Sequence, residues 1–95
     1  VFAFYYSSQF KKDLKRLKRR SKRNFAILEK FVDDLGNKGF KGVPEKFKPH
    51  SLIGNYRDCY ECHVKNDLLL IWKEDLENNS LTLIRAGTHS DLFSK

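Results

Sequence analysis

The segment YRDCYECHVKNDLLLIWKEDLENNSLTLIRA, residues 56–86, carries the reading from which the rest of the fold follows. Aromatic, branched and leucine residues gather in three runs, Tyr56 to Val64, Leu68 to Lys73 and Leu81 to Ala86, divided by polar stretches. Each run has the length and composition of a strand. Lys65-Asn66 suits a two-residue hairpin turn, and Asp75 to Ser80 supplies a longer one. Strands joined this closely pair antiparallel, so the segment predicts a three-stranded meander.

Upstream, Asn37 to Gly54 reads as a loop, with glycines at 36, 39, 42 and 54 and prolines at 44 and 49 marking it and its edges. Before it the apolar period changes. Phe10, Leu14 and Leu17 recur at i, i+4 and i+7, and Phe25, Leu28, Phe31, Val32 and Leu35 continue the helical spacing. Ser7 and Ser8 are placed to cap the first helix, Ser21 to break the run, and Gly36 to end the second helix. Val1 to Tyr6 is rich enough in aromatic and branched residues to form a first strand. The order is a strand, two antiparallel helices and a meander. This predicts a single α+β domain, residues 1–95, with the helices packed on one face of the sheet and the other face open.

At 95 residues the chain suits one domain, and its 40% hydrophobic content and eight phenylalanines suffice for a core. The longest apolar run, Leu68 to Trp72, is far too short to span a bilayer. No basic region precedes an apolar one at the N-terminus, so no secretory signal is expected. The chain opens at Val1 and contains no methionine, which reads as a lost start. Net charge is +7, and nine basic residues lie between Lys11 and Arg23 against the single acid Asp13. Such a block attracts polyanions by counterion release, and it also serves as a solvated helix face. A membrane surface is the weaker option, because the apolar positions here are needed for the core.

Cys59-Tyr60-Glu61-Cys62-His63 matches the literal c-type haem pattern and half of a zinc site. On a strand, Cys59 and Cys62 point to opposite faces, so neither a haem nor a disulfide is served. No further cysteine exists to complete a zinc site. No metal and no cofactor are expected, and the cysteines read as ordinary strand residues of a reducing compartment, the cytoplasm.

The same alternation divides Tyr56, Tyr60, Cys62 and Val64, which suit a core, from Arg57, Glu61 and His63 on the opposite face. Asp67 follows the turn, His50 lies towards the end of the incoming loop, His89 comes just past the last strand, and Arg85 falls on it. The three histidines, an arginine and a carboxylate converge on the edges of one sheet face. RNA brings its own nucleophile, the 2′-hydroxyl. Cleavage then needs a base, an acid for the departing 5′-oxygen, and a cation at phosphorus. Histidine suits both proton transfers and arginine suits the phosphate.

Pro49-His50-Ser51-Leu52-Ile53-Gly54, Tyr56-Arg57-Asp58, Glu61-Cys62-His63-Val64 with Asp67, and Arg85-Ala86-Gly87-Thr88-His89-Ser90-Asp91-Leu92-Phe93 resemble the YafQ branch of the RelE toxins. That branch shows a His-x-Leu-x-Gly step, an Arg-Asp/Glu-x-His-Val strand, an aspartate after the turn, and a closing Gly-Thr/Ser-His-x-x-Leu-Phe. The spacing matches through the C-terminal half, and the N-terminal half matches in element order and basic character. The resemblance implies a type II toxin of RelE-like fold, an endoribonuclease that cuts mRNA in the ribosomal A site. It implies neutralisation by a cognate antitoxin protein.

Carried over by position, His50, His63, Asp67 and His89 form the catalytic set, with Phe93 near a substrate base. His50 is assigned as general base and His89 as general acid, the reverse being open. His63 and Asp67 position the phosphate, Arg85 stabilises charge on phosphorus, and Phe93 stacks on a nucleobase. Glu61 and Arg57 are further substrate contacts, and Lys11, Lys15, Lys18 and Arg19 on the basic helix grip ribosomal RNA. Asn37 to Lys48 and the dense charge of Lys18 to Arg23 depart from the family pattern and bear on the antitoxin surface rather than on the histidines. Two alternatives are a ParE-like inhibitor of DNA gyrase, which would not be expected to carry the three histidines, and a nucleic-acid-binding module in which they are incidental.

Overall fold

In the computed structural model, which describes residues 1–93, the meander forms and is extended on both edges. The chain runs through β1 (Ala3–Tyr6), α1 (Ser8–Arg20), α2 (Lys22–Lys38), β2 (His50–Ser51), β3 (Tyr60–Lys65), β4 (Leu68–Asp75), β5 (Ser80–Gly87) and α3 (His89–Phe93). Sheet order is β1-β5-β4-β3-β2, with β1 parallel to β5 and the other pairs antiparallel.

Serines govern both ends of α1. The Ser7 hydroxyl accepts the Phe10 N–H at 2.9 Å and donates to the Ile84 carbonyl at 2.7 Å, so the residue that starts the helix also ties it to β5. Ser21 closes α1 through its N–H to the Leu17 carbonyl, and its hydroxyl caps α2 by accepting the Asn24 N–H. Gly36 does not end α2. The helix continues to Lys38 and stops at Gly39, whose φ of 69° suits glycine. Gly36 is instead buried under β1, where a Cβ would lie 2.4 Å from the Phe4 ring. It is glycine because a strand side chain crosses it.

The helical hairpin covers one sheet face. Phe10, Leu17, Leu28, Val32 and Leu35 meet Cys62, Leu70, Trp72, Leu81 and Leu83 in the main core. The opposite face is not left open. Cys59, Leu69, Ile71 and Leu92 form a second buried cluster, flanked by Leu52, Tyr56 and Ile84. The expected face of Tyr56 is therefore corrected. Strand β3 begins only at Tyr60, and Asp58 takes a φ of 70°, which breaks the alternation upstream. Tyr56 and Arg57 lie before the strand, with Tyr56 on the second face. The hairpin turn is also corrected from Lys65-Asn66 to Asn66-Asp67, because Lys65 pairs with Leu68.

Cys59 and Cys62 fall in opposite clusters and both are free. Burial pushes both thiols up, Cys62 most strongly. Neither is expected to react with a neutral-pH alkylating reagent in the folded protein, since the thiolate is the nucleophile. Mass spectrometry before and after denaturation checks this, and rapid native modification of Cys62 would contradict the packing.

Candidate active site

Pairing across the sheet sets the site. His50 opposes Glu61, Glu61 opposes Ile71, and Ile71 opposes Arg85, a row over four strands. A second row runs from His63 through Leu69 to Gly87. Residues directly opposed across strands share a face, so His50, Glu61, His63 and the approach to α3 come to one surface. His63 and Gly87 are two strands apart, about 10 Å. His89 follows two residues after Gly87.

His50 is fixed at both ring nitrogens. Nδ1 lies 2.8 Å from the Lys48 carbonyl oxygen, and Nε2 lies 3.1 Å from Glu61 Oε1. A carbonyl only accepts, so Nδ1 carries a proton. Nε2 is left facing the Glu61 carboxylate. The two groups form a close imidazole–carboxylate dyad. Glu61 is 5% exposed, and its buried Oε2 has no hydrogen-bond partner among the described residues. The His63 ring stands 6.5 Å from that of His50, centroid to centroid.

The other side of the site is built on α3. Asp67, held at φ 52° in the turn, accepts the His89 backbone N–H at 2.9 Å through Oδ1. Thr88 and Asp91 cap the helix reciprocally. The Thr88 N–H donates to Asp91 Oδ2 and the Asp91 N–H donates to Thr88 Oγ1, both at 3.0 Å. Thr88-His89-Ser90-Asp91 is thus a capping box, a pattern legible in the sequence. The His89 and Phe93 rings lie 5.0 Å apart, and Phe93 meets Tyr56 edge-on at 6.0 Å. Gly87, at φ 153°, lies where a Cβ would come within 2.8 Å of Asp91 Oδ2.

Arg85 is the residue whose surroundings differ most from the expectation. Nε and Nη2 donate to the two oxygens of Asp13 at 2.8 and 3.2 Å, Nη1 to the Tyr56 hydroxyl at 3.3 Å, and Nη2 to the Asp91 carbonyl at 3.4 Å. The paired donation anticipated for phosphate is made to Asp13. Among the described residues, these contacts use four of the five guanidinium N–H groups and leave one on Nη1. Asp13 itself is 1% exposed and also accepts from Arg16 and the Ala86 N–H. It sits where β1 has left the edge of β5, and it takes over the strand's free donor. The hydrogen bond to Asp13 raises the pKa of Arg85 further.

Lys11, Lys15, Lys18 and Arg19 are exposed on α1, and Arg57 is exposed before β3. The basic residues that reach the site are Arg16 and Arg20, at 3.7 and 2.9 Å from Asp91 Oδ2. Burial would raise the Asp91 carboxyl. Hydrogen bonds from the Thr88 N–H, Arg20 and the Thr88 side chain, with the Arg16 charge, outweigh it and hold the group below the usual carboxylate range. Such a group stabilises the fold above its ordinary pKa of 3.8, and the contribution is lost as pH falls through the depressed value. Asp91→Asn should therefore be less stable than the parent at neutral pH, with the gap narrowing below about pH 4. Urea melts at both pH values test it, and a gap independent of pH would contradict it.

Asp13, Tyr56, Asp91 and the Lys48 carbonyl are given no role at the site by the sequence reading. Asp13 was visible as the lone acid in a basic block, but its partner lies 72 positions away.

A helical hairpin on one face of a five-stranded mixed sheet is the RelE-like fold, shared with the YoeB-YefM structure from Staphylococcus aureus at a TM-score of 0.74 and 17% identity. The family model for the bacterial toxin of type II toxin-antitoxin system, YafQ, matches residues 2–94, and the chain belongs to that family. The mRNA interferase toxin YafQ of Escherichia coli K12 is 33% identical over 88 residues, covering 93% of this chain and 91% of its own. Among solved structures, a metal-bound toxin from Helicobacter pylori superposes with a TM-score of 0.83 at 36% identity, covering 98% of this chain and 100% of its own. The Escherichia coli DinJ-YafQ complex matches with a TM-score of 0.81 at 31% identity, covering 99% and 100% respectively.

Proposed function

We propose that this chain is an endoribonuclease of the mRNA interferase type, cutting message in the ribosomal A site by attack of the 2′-hydroxyl on the adjacent phosphorus. The observation that carries this reading is the pairing of two histidine stations on one face, the His50–Glu61 dyad with His63 on one side and His89 on Asp67 on the other. The strand that carries His63 lies about 10 Å from β5 and the one that carries His50 about 14 Å, so side chains reaching inward from both sides leave room for a phosphodiester. The similarity to an mRNA interferase toxin supports the same substrate class.

In this reading His50 takes the 2′-hydroxyl proton on Nε2, which turns from its contact with Glu61 to the substrate, and His89 protonates the leaving 5′-oxygen. Asp67 acts by fixing the start of α3, so it orients His89 through the backbone. Arg85 offers its one remaining N–H to a phosphate oxygen, and Phe93 supplies a face for a base. Arg57 and the exposed cations Lys11, Lys15, Lys18 and Arg19 extend the contact to ribosomal RNA.

The relative from Helicobacter pylori is described as metal-bound. Here His50 Nε2 and Glu61 Oε1 stand together, but among the described residues no group of three or more His, Cys, Asp or Glu side chains is arranged to hold an ion. No step is routed through a metal, because the substrate carries its own nucleophile.

A cognate antitoxin is the proposed protein partner, supported by the relative solved with DinJ. The cytoplasm is the proposed compartment, where ribosomes and message meet. Among the described residues no helix is long and apolar enough to cross a membrane.

Programmed ribosomes carrying a message with a single 2′-deoxy nucleotide at the cut site test the chemistry. That message should stay whole, while the all-ribose control yields a 2′,3′-cyclic phosphate and a 5′-hydroxyl, with chelator-washed toxin equally active. Cleavage of the deoxy message, or 5′-phosphate ends, would overturn the mechanism.

A further inference from the structure

Beside His63, on the side away from α3, lies a cleft of about 330 Å³ between residues 46–48 and the β3–β4 turn. Lys46, Lys48 and Lys65 line it with His63 and Asn66, and no carboxylate is among its lining residues. The cations come from two separate segments and are held in different ways. The Lys65 ammonium donates to Asn24 Oδ1 at 3.1 Å, leaving two of its N–H groups free. The Lys46 ammonium sits over the Phe47 ring, 5.2 Å from its centre. Lys48 takes a left-handed φ of 53°, and its carbonyl accepts from His50 Nδ1. The cleft and the candidate active site therefore share a wall, His63, and a strained backbone residue, Lys48.

We propose that this cleft is a subsite for the RNA backbone, holding the phosphate on the 5′ side of the nucleotide whose 2′-hydroxyl attacks. The inference rests on the nuclease reading above. A strand with its scissile phosphate between His50 and His89 must leave the site in both directions. With His89 on the leaving 5′-oxygen, the downstream strand departs over α3 and Phe93. The upstream strand departs past His50 and His63, into the three lysines. Flexible ammonium groups bind a phosphate as point charges and read no base, so the subsite grips and orders the strand without choosing its sequence.

A short RNA with 2′-O-methyl riboses, which cannot be cut, is the probe. Its binding is followed by fluorescence anisotropy over a salt series, with cleavage in a translation extract read alongside. Lys46→Glu/Lys65→Glu should weaken binding at least about tenfold and lower the salt slope by about one to two, while Lys38→Glu at the far end of α2 changes little. Replacing the upstream linkage with an uncharged methylphosphonate should cost wild type a similar factor and the double variant almost nothing. Equal binding by wild type and the double variant, or no saturable binding by wild type at low salt, overturns the subsite. Unchanged RNA binding with lost capture of an acidic peptide also overturns it and makes the cleft a seat for protein. Intact extract cleavage with no binding difference sinks the subsite alone. A binding difference without cleavage by wild type sinks the nuclease reading alone.

Discussion

Replacing His89 with alanine is expected to slow cleavage of ribosome-bound message by about 10²- to 10⁴-fold, the range for losing a positioned general acid. Stability should hardly change. His89 is exposed, and what fixes α3 at this point is its backbone N–H on Asp67, which alanine keeps. The imidazole is presented beside Phe93 rather than packed in the core. Single-turnover cleavage with a urea melt of each protein separates chemistry from folding. A loss below about threefold, with the fold intact, would remove His89 from the proton transfers.

The second large effect falls on stability. Asp13→Ala should destabilise the protein by about 3–5 kcal/mol, the cost of breaking a buried ion pair from one side. The Asp13 side chain is fully buried and that of Arg85 is only 14% exposed, so water replaces little of what is lost. The same change frees the Ala86 N–H at the edge of β5 and one anchor of Arg16. For a domain of this size such a loss is a large part of the whole, and Tm should drop by more than about 10 °C. Activity should fall with it, because Arg85 also holds Tyr56 and the Asp91 carbonyl, and these carry Phe93 and α3. A change under about 1 kcal/mol would mean that Arg85 finds other partners readily.

Elements with enough residues to display a period were legible in the sequence. The spacing of Phe10, Leu14 and Leu17, and of Phe25 through Leu35, located both helices and their buried faces. The meander followed from three apolar runs. Strand β2 was not legible, because two residues have no alternation, and only pairing with Glu61 makes His50–Ser51 a strand. Tyr56 was assigned to the wrong face because Asp58 breaks the extended backbone, a conformational event no apolar pattern records. Gly36 and Gly39 look alike as helix stops, and the choice between them was made by Phe4 from a distant strand.

The candidate site divides in the same way. Its histidines were found through motif spacing, and pairing across the sheet brings His50 beside Glu61 and His63. The role of Asp67 as an anchor of the His89 backbone could not be read, since a carboxylate's partner is invisible in one dimension. The engagement of Arg85 was hidden for the same reason. An arginine in a nuclease motif suggests phosphate, and only the fold brings Asp13 within 2.8 Å of it.

The most direct test of the central claim is a translation extract programmed with a defined message, comparing the intact chain with His50→Ala and His89→Ala. The 5′ ends of the transcript are mapped with and without ribosomes. Codon-phased cuts that require ribosomes and vanish in both variants are the expected result. A message left whole by folded, intact protein would contradict the nuclease assignment outright.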